Sequence, residues 1–545
     1  MNGSDQTRLP GGGTGLLRGY GPLLAMLVAF ALMVTLVRPI AREQTVIHDT
    51  GAQSAGNAAA VGPDTGGSAP GASRSGGSAG TAAVAGTSNT HRLAAHTSSC
   101  SDRPQQVPGD PYSPPCVLFS GDNGGATTRG VTKDTINIAF RVTADPDLSS
   151  TIAKIAGSDL IDGPEDAIRT AEGLVDYFNT RFQFYGRKMK LVPYQGHGSL
   201  TREILGAGQE QANADAIKVA NEVGAFADLT GLTEPYADAL ARQHVMAFGP
   251  LFMSRQWFLE RRPYAWSTFT DCSMLELSQS DWLNKRIMGK PARYAGGDLA
   301  GRPRKIGVVT PENPIYQQCV HDWLDQLHSA GHDASVFDYS VDLASMSNQA
   351  ASIVAKLKAA QITSVALFCD PILPVFLAAK AHEQGYTPEW LLVSNGFSDT
   401  DLIGQLYDQT EWSHAFGIST LGPPLPERAT LGYNAYKSVR SDEPGHLVDF
   451  FYFQLYMIAL GIQLAGPDLA PASFERGMFS YPGGTGEAGT WGLGPGHYTP
   501  TQDYKEIWWD LNRTSTSNDK KGTYETNGTR YRMGQVPPGD PPVFQ

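Results

Sequence analysis

Cysteine is scarce in this chain of 545 residues. Cys100, Cys116, Cys272, Cys319 and Cys369 lack the paired short spacings that hold a structural zinc ion. There is no surplus of basic residues: 42 Lys and Arg stand against 54 Asp and Glu, a formal net charge of -12. A nucleic-acid binder needs a basic face, and this balance argues against one. Neither a Gly-x-Ser-x-Gly elbow nor a phosphate-binding loop is present, and His321 with Asp322 or His197 near Ser199 come without a nucleophile motif. The string from Gly492 to Gly496 follows no predicted strand and contains Pro495, so it fails as a dinucleotide site. No short internal repeat recurs. Together these absences point away from an enzyme and imply no cofactor and no metal.

Large apolar residues are almost missing between 51 and 97, where Gly, Ala, Ser and Thr dominate. Such a segment cannot bury enough surface to order itself. About 50 residues of this composition reach roughly 35 to 42 Å, which makes 41–99 a tether. Ahead of it, after a short tail at 1–20, the run GPLLAMLVAFALMVTLV at 21–37 is uncharged and flanked by Arg8, Arg18, Arg38 and Arg42. As a helix it spans about 26 Å against a hydrocarbon core of about 30 Å, a gap that snorkelling arginines close. The expectation is a transmembrane signal-anchor over 21–40, with a cleaved signal peptide as the alternative. The folded part then lies outside the cytoplasm at the cell membrane. Cys100 and Cys116 bracket a proline-rich extension, 100–129, and in an exported protein a disulfide closing that loop is worth about 3 kcal/mol; two free thiols are the other reading. The remaining cysteines allow one further pair at most.

Beyond Gly130 the pattern alternates strand and helix. Apolar positions at Ala167, Ile168, Ala171, Leu174, Val175 and Phe178 carry the spacing of a helix with one buried stripe, preceded by the cap and first-turn signals of Asp162 and Pro164. A turn at Gly186 leads into a strand at 189–194, and 136–140 reads as the parallel partner strand. Further strands are expected at 225–229, 244–248 and 264–269, with helices at 210–223 and 234–242 between them. A long helix at 273–287 leads to a second series, with strands at 306–309, 334–339, 364–368 and 390–393 and helices at 316–330, 347–360 and 373–384. Helices at 427–439 and 448–464 and a late strand at 504–510 follow, with Trp508 and Trp509 on its opposite faces as packing groups. The fold class is therefore α/β, with two successive open sheets whose ligands bind beyond the carboxyl ends of the strands.

Three stretches carry a resemblance to a known family. Gly130-Val131-Thr132-Lys133-Asp134-Thr135-Ile136-Asn137-Ile138, then Tyr177-Phe178-Asn179, then Tyr185-Gly186-Arg187-Lys188 resemble the type I periplasmic binding proteins of the branched-chain amino-acid (leucine-binding) class. The likeness covers roughly 130–510, and Gly121-Asp122-Asn123-Gly124-Gly125 looks like the actinobacterial, membrane-tethered members. What the resemblance implies is a pair of Rossmann-like lobes closing on a small polar solute around a multi-crossing hinge, for an importer's ABC permease and ATPase. The implied division is 130–270 with a return segment 413–497 for the first lobe, and 271–412 with 498–535 for the second.

Candidate ligand contacts follow from strand ends and from matched positions. Arg141, Asp145, Thr230, Thr233, Leu251, Phe252, Tyr316, Asp370, Asn395 and Phe397 lie just past predicted strands. The loop Thr230-Gly231-Leu232-Thr233 resembles the family's carboxylate-binding loop, with a helix N-terminus behind it. Tyr316 matches the family's tyrosine from the second lobe. Two departures stand out. Gly249-Pro250-Leu251-Phe252 replaces a hydroxyl-bearing loop with bulk, and Ser394-Asn395-Gly396-Phe397 lacks the family's acid, which leaves Asp370 as a substitute partner for an ammonium group. Both departures speak against a simple branched-chain amino acid and leave a small polar solute, an amino acid, amide or carboxylate-like molecule, as the expected ligand. The alternative function is a cell-surface sensor or interaction module with a modified cleft.

Overall fold

The computed structural model describes residues 104–143, 162–204 and 207–545. The expected anchor at 21–40, the segments 1–20 and 41–99, Cys100 and Asp145 lie outside the described residues.

The chain first builds a parallel sheet in the order β2-β1-β3-β4-β5. β1 (Thr135–Val142) and β2 (Lys188–Gln195) pair from Thr135 against Lys188 to Val142 against Gln195. β3 (Ala227–Asp228), β4 (Met246–Phe248) and β5 (Ala265–Trp266) complete it, shorter than the apolar runs that announced them. The helix Pro164–Arg181 joins β1 to β2 as a crossover, with acidic groups in its first turn and Arg181 in its last, where the helix dipole favours each. It buries Ala167, Ala171, Leu174, Val175 and Phe178, the stripe its spacing predicts.

The motifs that carry the family resemblance have structural roles here. Asn179 clamps the strand that follows its helix: its Nδ2 donates to Met189 O at 2.9 Å and its Oδ1 accepts from Met189 N at 2.8 Å. Gly130 sits at φ +74°, and a Cβ there would stand 2.1 Å from the Phe226 amide nitrogen, so only glycine fits. Arg187, 1% exposed, donates to the carbonyls of Thr132, Pro467 and Gly125. It thereby ties the 104–129 extension to the first lobe, helped by Asn123 donating to Lys133 O and Tyr185 O.

The second sheet is larger. β6 (Ile306–Pro311), β7 (Ala334–Tyr339), β8 (Ser364–Leu367), β9 (Glu389–Leu392) and β10 (Ala415–Ser419) run parallel in the order β7-β6-β8-β9-β10. A small hairpin, β11 (Gly484–Gly486) with β12 (Gly489–Trp491), stands apart. β13 (Asp503–Thr514) then pairs antiparallel with β10, and β14 (Lys521–Glu525) and β15 (Arg530–Arg532) both pair with β13. The chain passes from the first sheet to the second after β5, leaves it after β10 for the helix Val448–Ala465, which packs on Pro164–Arg181 of the first lobe, and crosses back before β13.

One boundary moves. β10 lies inside the segment 413–497 expected to return to the first lobe, yet it pairs with β9, so the second crossing falls after Ser419. Its five residues are all buried, and their strand pairing is made with β9 and β13, far away in the sequence. The expected helix at 427–439 is a single turn, Glu427–Ala429, followed by Leu431–Lys437. The apolar helix Val448–Ala465 is long enough to cross a membrane but is a core helix: nearly every residue is buried, and it packs against Pro164–Arg181. Cys272 and Cys319 form a disulfide between the helices Cys272–Trp282 and Pro314–Ser329, with Cα atoms 6.0 Å apart. Cys116 is also disulfide-bonded, while Cys369 is buried and free.

Buried acids give the fold a pH signature. Burial pushes the carboxyl of Asp449 up to about 6 and those of Glu411 and Glu427 up to about 7. Their folded values lie above the unfolded ones, so the stability they contribute is complete below about pH 4 and is lost as pH rises through 6 to 7. Thermal unfolding is therefore expected to give a higher midpoint at about pH 5.5 than at about pH 8. Glu411→Gln should narrow that difference, since Glu411 Oε2 is buried with no hydrogen-bond partner among the described residues. An equal midpoint at both values, with no effect of the substitution, would contradict the assignment.

Candidate functional site

The first wall of the cleft is set by a buried ion cluster. Arg141, at the end of β1, donates from Nε to Asp215 Oδ2 at 2.8 Å and forks onto Glu203 at 3.0 and 2.6 Å. Its guanidinium also lies 4.0 Å over the Tyr236 ring. Burial alone would lower its pKa, but the hydrogen bond and charge of Glu203 hold it above the ordinary arginine value. Asp215 feels burial in the opposite direction, and the amides of His197 and Gly198 together with Arg141 bring it below the usual carboxylate range. All three nitrogens of the Arg141 guanidinium are thus bonded to these two acids, and Arg141 lines neither of the two cavities described below, although its strand-end position made it a candidate contact.

Thr230 is likewise committed. Its hydroxyl donates to Asp228 at 2.6 Å and accepts the Arg141 amide at 3.0 Å. Gly231 serves close packing: a Cβ there would meet Ala247 Cβ at 3.0 Å and Phe248 N at 3.2 Å. Thr233 does reach the cleft, held by a 2.6 Å hydrogen bond from its hydroxyl to Glu203 Oε2. It precedes the helix Glu234–Arg242 at the N-cap position without a side-chain cap hydrogen bond, and the first turn of that helix faces the same space.

The second wall comes from the other lobe. Asn313 caps the helix Pro314–Ser329 by accepting from Ile315 N at 3.0 Å, which places Tyr316 in its first turn. Burial, then the charges of Asp370 and Glu234, raise the Tyr316 pKa, so its hydroxyl stays protonated. Asp370 is not the substitute acid that the sequence suggested. Its Oδ1 accepts from Ile372 N at 2.7 Å and Leu373 N at 3.0 Å, and its Oδ2 accepts from Tyr339. These bonds hold it just ahead of the helix Leu373–Glu383, and an ammonium group would compete with all three donors. Asp370→Ala, which removes the acceptor of all three donors, is accordingly expected to lower stability by roughly 1 to 3 kcal/mol while leaving ligand preference alone, readable by denaturation alongside calorimetry.

Of the residues expected from the sequence, Thr233, Leu251 and Tyr316 meet around one cavity of about 440 Å³ between the lobes. Glu203, Leu232, Glu234, Pro235, Met253, Asn313, Pro314 and Ile315 share its lining, none of them anticipated as contacts. The cap sequence Asn313-Pro314 and the helix start at Glu234 were the available signals for several of them. Glu234 accepts from Trp257 Nε1 at 3.0 Å and stands 3.6 Å from Arg261, so its charge is balanced.

Phe252 and Phe397 meet across the lobes with ring centroids 5.9 Å apart, and Phe269 lies 5.7 Å from Phe397. Both Phe252 and Phe397 adopt positive φ, +55° each, a conformation that a bulky side chain holds only when its surroundings impose it. They line a second hollow toward the crossings. Asn395 lines neither space, and its Oδ1 is buried without a hydrogen-bond partner among the described residues.

A parallel sheet and a mixed one joined by three crossings, with a cavity lined from both lobes, have counterparts among solved structures. The chain is similar to a substrate-binding protein of an ABC transporter from Aeropyrum pernix, with TM-score 0.52 and 15% identity over 73% of this chain and 96% of that one. It has the fold of the solute-binding proteins. A second likeness is to a solute-binding protein of an ABC transporter from Rhodopseudomonas palustris in complex with 3,4-dihydroxybenzoic acid, at TM-score 0.50 and 11% identity over 74% of this chain and 99% of that one. A periplasmic binding protein from Burkholderia mallei matches at TM-score 0.50 and 10% identity, over 76% and 100%. No family model and no curated protein matches the sequence. At these identities the likeness speaks for the fold.

Proposed function

We propose that the protein is an extracytoplasmic solute receptor that closes its two lobes on a small solute and presents it to an ABC-type permease and ATPase. The observation that carries this reading is the cavity of about 440 Å³ to which Thr233 and Leu251 contribute from one lobe and Tyr316 from the other. A ligand touching both walls stabilises the closed arrangement through its differential affinity for it. The Cys272–Cys319 disulfide supports an oxidising compartment, in keeping with a folded part tethered outside the membrane by the 21–40 segment.

The lining favours a solute with a mostly apolar body and one or two polar groups. Leu232, Leu251, Met253 and Ile315 supply apolar wall, while Thr233, Tyr316 and the first turns of two helices supply polarity. With Asp370 and Glu203 already bonded, an ammonium group finds little to recognise it, and a carboxylate or amide fits better. The test is thermal unfolding of the full chain against amino acids, amides, small carboxylates, sugars and hydroxybenzoates. A true ligand at a hundred times its dissociation constant adds about 2.7 kcal/mol to the folded state. Tyr316→Ala is expected to weaken the affinity for that ligand by about tenfold or more with the fold intact. Unchanged affinity by calorimetry would remove Tyr316 from the site. A flat response across the whole panel would favour a sensor or interaction module.

A further inference from the structure

The hollow behind the Phe252–Phe397 contact is a chamber of about 210 Å³ bordered by all three crossings: Thr268 to Thr270, Thr420 to Leu425, and Thr501. A cavity of about 150 Å³ holds a benzene molecule, so this one has room for a substituted ring. Its apolar wall is aromatic, with Phe252, Phe269, Phe397, Phe450, Phe453 and Trp491 contributed by both lobes. Aromatic faces are negative and attract a cation placed over them.

The polar groups divide into two ends. At one, every charge is engaged: Lys505 donates to Gly422 O at 2.8 Å, Asp399 accepts from Ser394 at 2.9 Å, and Asp401 accepts from Ser515, Thr523 and the Tyr524 amide. The other end carries Asp449 and Glu487. Asp449 accepts from Gly432 N at 2.6 Å, whereas no hydrogen bond reaches the Glu487 carboxylate from the described residues. Neither acid has a salt-bridge partner among the described residues. Burial, and for Glu487 also the charge of Asp449, disfavours their ionised forms. The chamber thus joins a ring-lined wall to an uncompensated pair of acids.

We propose that this hinge-side chamber binds an organic amine with a compact apolar body, an arylalkylammonium, whose cationic group sits between Glu487 and Asp449 and whose body packs on the Phe252, Phe269 and Phe397 rings. The site is separate from the cavity at Thr233, Leu251 and Tyr316, and the inference does not rest on the importer reading. Because the crossings of both lobes line it, an occupant touches the segments on which any lobe movement turns.

The test is calorimetric titration of the full chain with benzylamine at about pH 8, where the amine is protonated and the acids are ionised, with benzyl alcohol and benzoate as the neutral and anionic counterparts. Saturable binding of benzylamine is expected, weakened about tenfold or more by Glu487→Gln, with benzyl alcohol and benzoate binding more weakly than the amine to the unaltered chain. Glu487→Gln removes a group that makes no hydrogen bond to the described residues, and an unchanged circular dichroism spectrum with an unfolding midpoint no lower than that of the unaltered chain shows that the variant is folded. The proposal is overturned if benzylamine shows no saturable binding, if benzyl alcohol matches it, or if the folded Glu487→Gln variant binds it as well as the unaltered chain does.

Discussion

Arg141→Met is expected to cost the protein about 3 to 5 kcal/mol, the largest single loss we anticipate. The substitution keeps an unbranched side chain of similar reach and removes the one cation that faces both Glu203 and Asp215. The side chains of those acids are 0% exposed and stay behind without a counter-charge. Asp215 keeps the amides of His197 at 2.9 Å and Gly198 at 2.9 Å, which softens its share of the penalty, but among the described residues Glu203 retains only the Thr233 hydroxyl as a side-chain partner. Urea denaturation of the variant should show a lower midpoint with an unchanged slope. Arg141→Lys restores the charge without the two-pronged geometry and should recover part of the loss. A drop below about 1 kcal/mol for the methionine variant would mean that the cluster carries little of the fold's stability. The effect reaches the cleft as well. Thr233 is held through Glu203, so ligand affinity should fall even under conditions in which the variant is folded.

Joint replacement of Cys272 and Cys319 by serine is expected to lower stability by about 4 kcal/mol in the chain-entropy account. The figure follows from the 47 residues that separate the two cysteines, since the disulfide removes that much freedom from the unfolded chain. A native-state contribution adds to it. Glu276 lies in the same buried cluster, with its carboxyl pushed up to about 9 by burial and then by the charges of Asp322 and Asp271, and its Oε1 has no hydrogen-bond partner among the described residues. Serine hydroxyls placed beside that acid offer it a donor, so the measured loss should fall somewhat short of the entropic figure. Reduction of the unaltered protein should lower the unfolding midpoint at least as far, because it releases this loop and opens the Cys116 disulfide as well. Equal midpoints for the oxidised protein and the double variant would refute the prediction.

How much of this was written in the sequence depends on the range of the interaction concerned. The helix Pro164–Arg181 announced its buried face, its first-turn proline and its length through local periodicity, and β1, β2 and β6 to β9 announced themselves as apolar runs of strand length. Those signals are local, because side-chain period and capping act within a few residues. Strand partnership is not local. β10 is five buried residues that look like nothing in particular until β9 and β13 lie on either side, and β14 and β15 depend wholly on β13 for their pairing.

The site divides in the same way. That Thr233, Leu251 and Tyr316 stand beyond strand ends followed from the order of elements, and these three do line the cleft cavity. Arg141, Thr230 and Asp370 stand at equivalent strand ends but are consumed by neighbours 74, 89 and 31 residues distant in sequence: Asp215, the Arg141 amide and Tyr339. A charged or hydroxyl side chain at a strand end bonds to whichever partner packing brings nearest, and a buried polar group left without one is costly. The sequence by itself therefore determined the α/β class, the alternation of strand and helix, and the ends of strands from which a site can be built. Which of those residues face a ligand and which are spent holding the walls was decided only by the tertiary structure, because burial and hydrogen-bond satisfaction are properties of the assembled neighbourhood rather than of any stretch of chain.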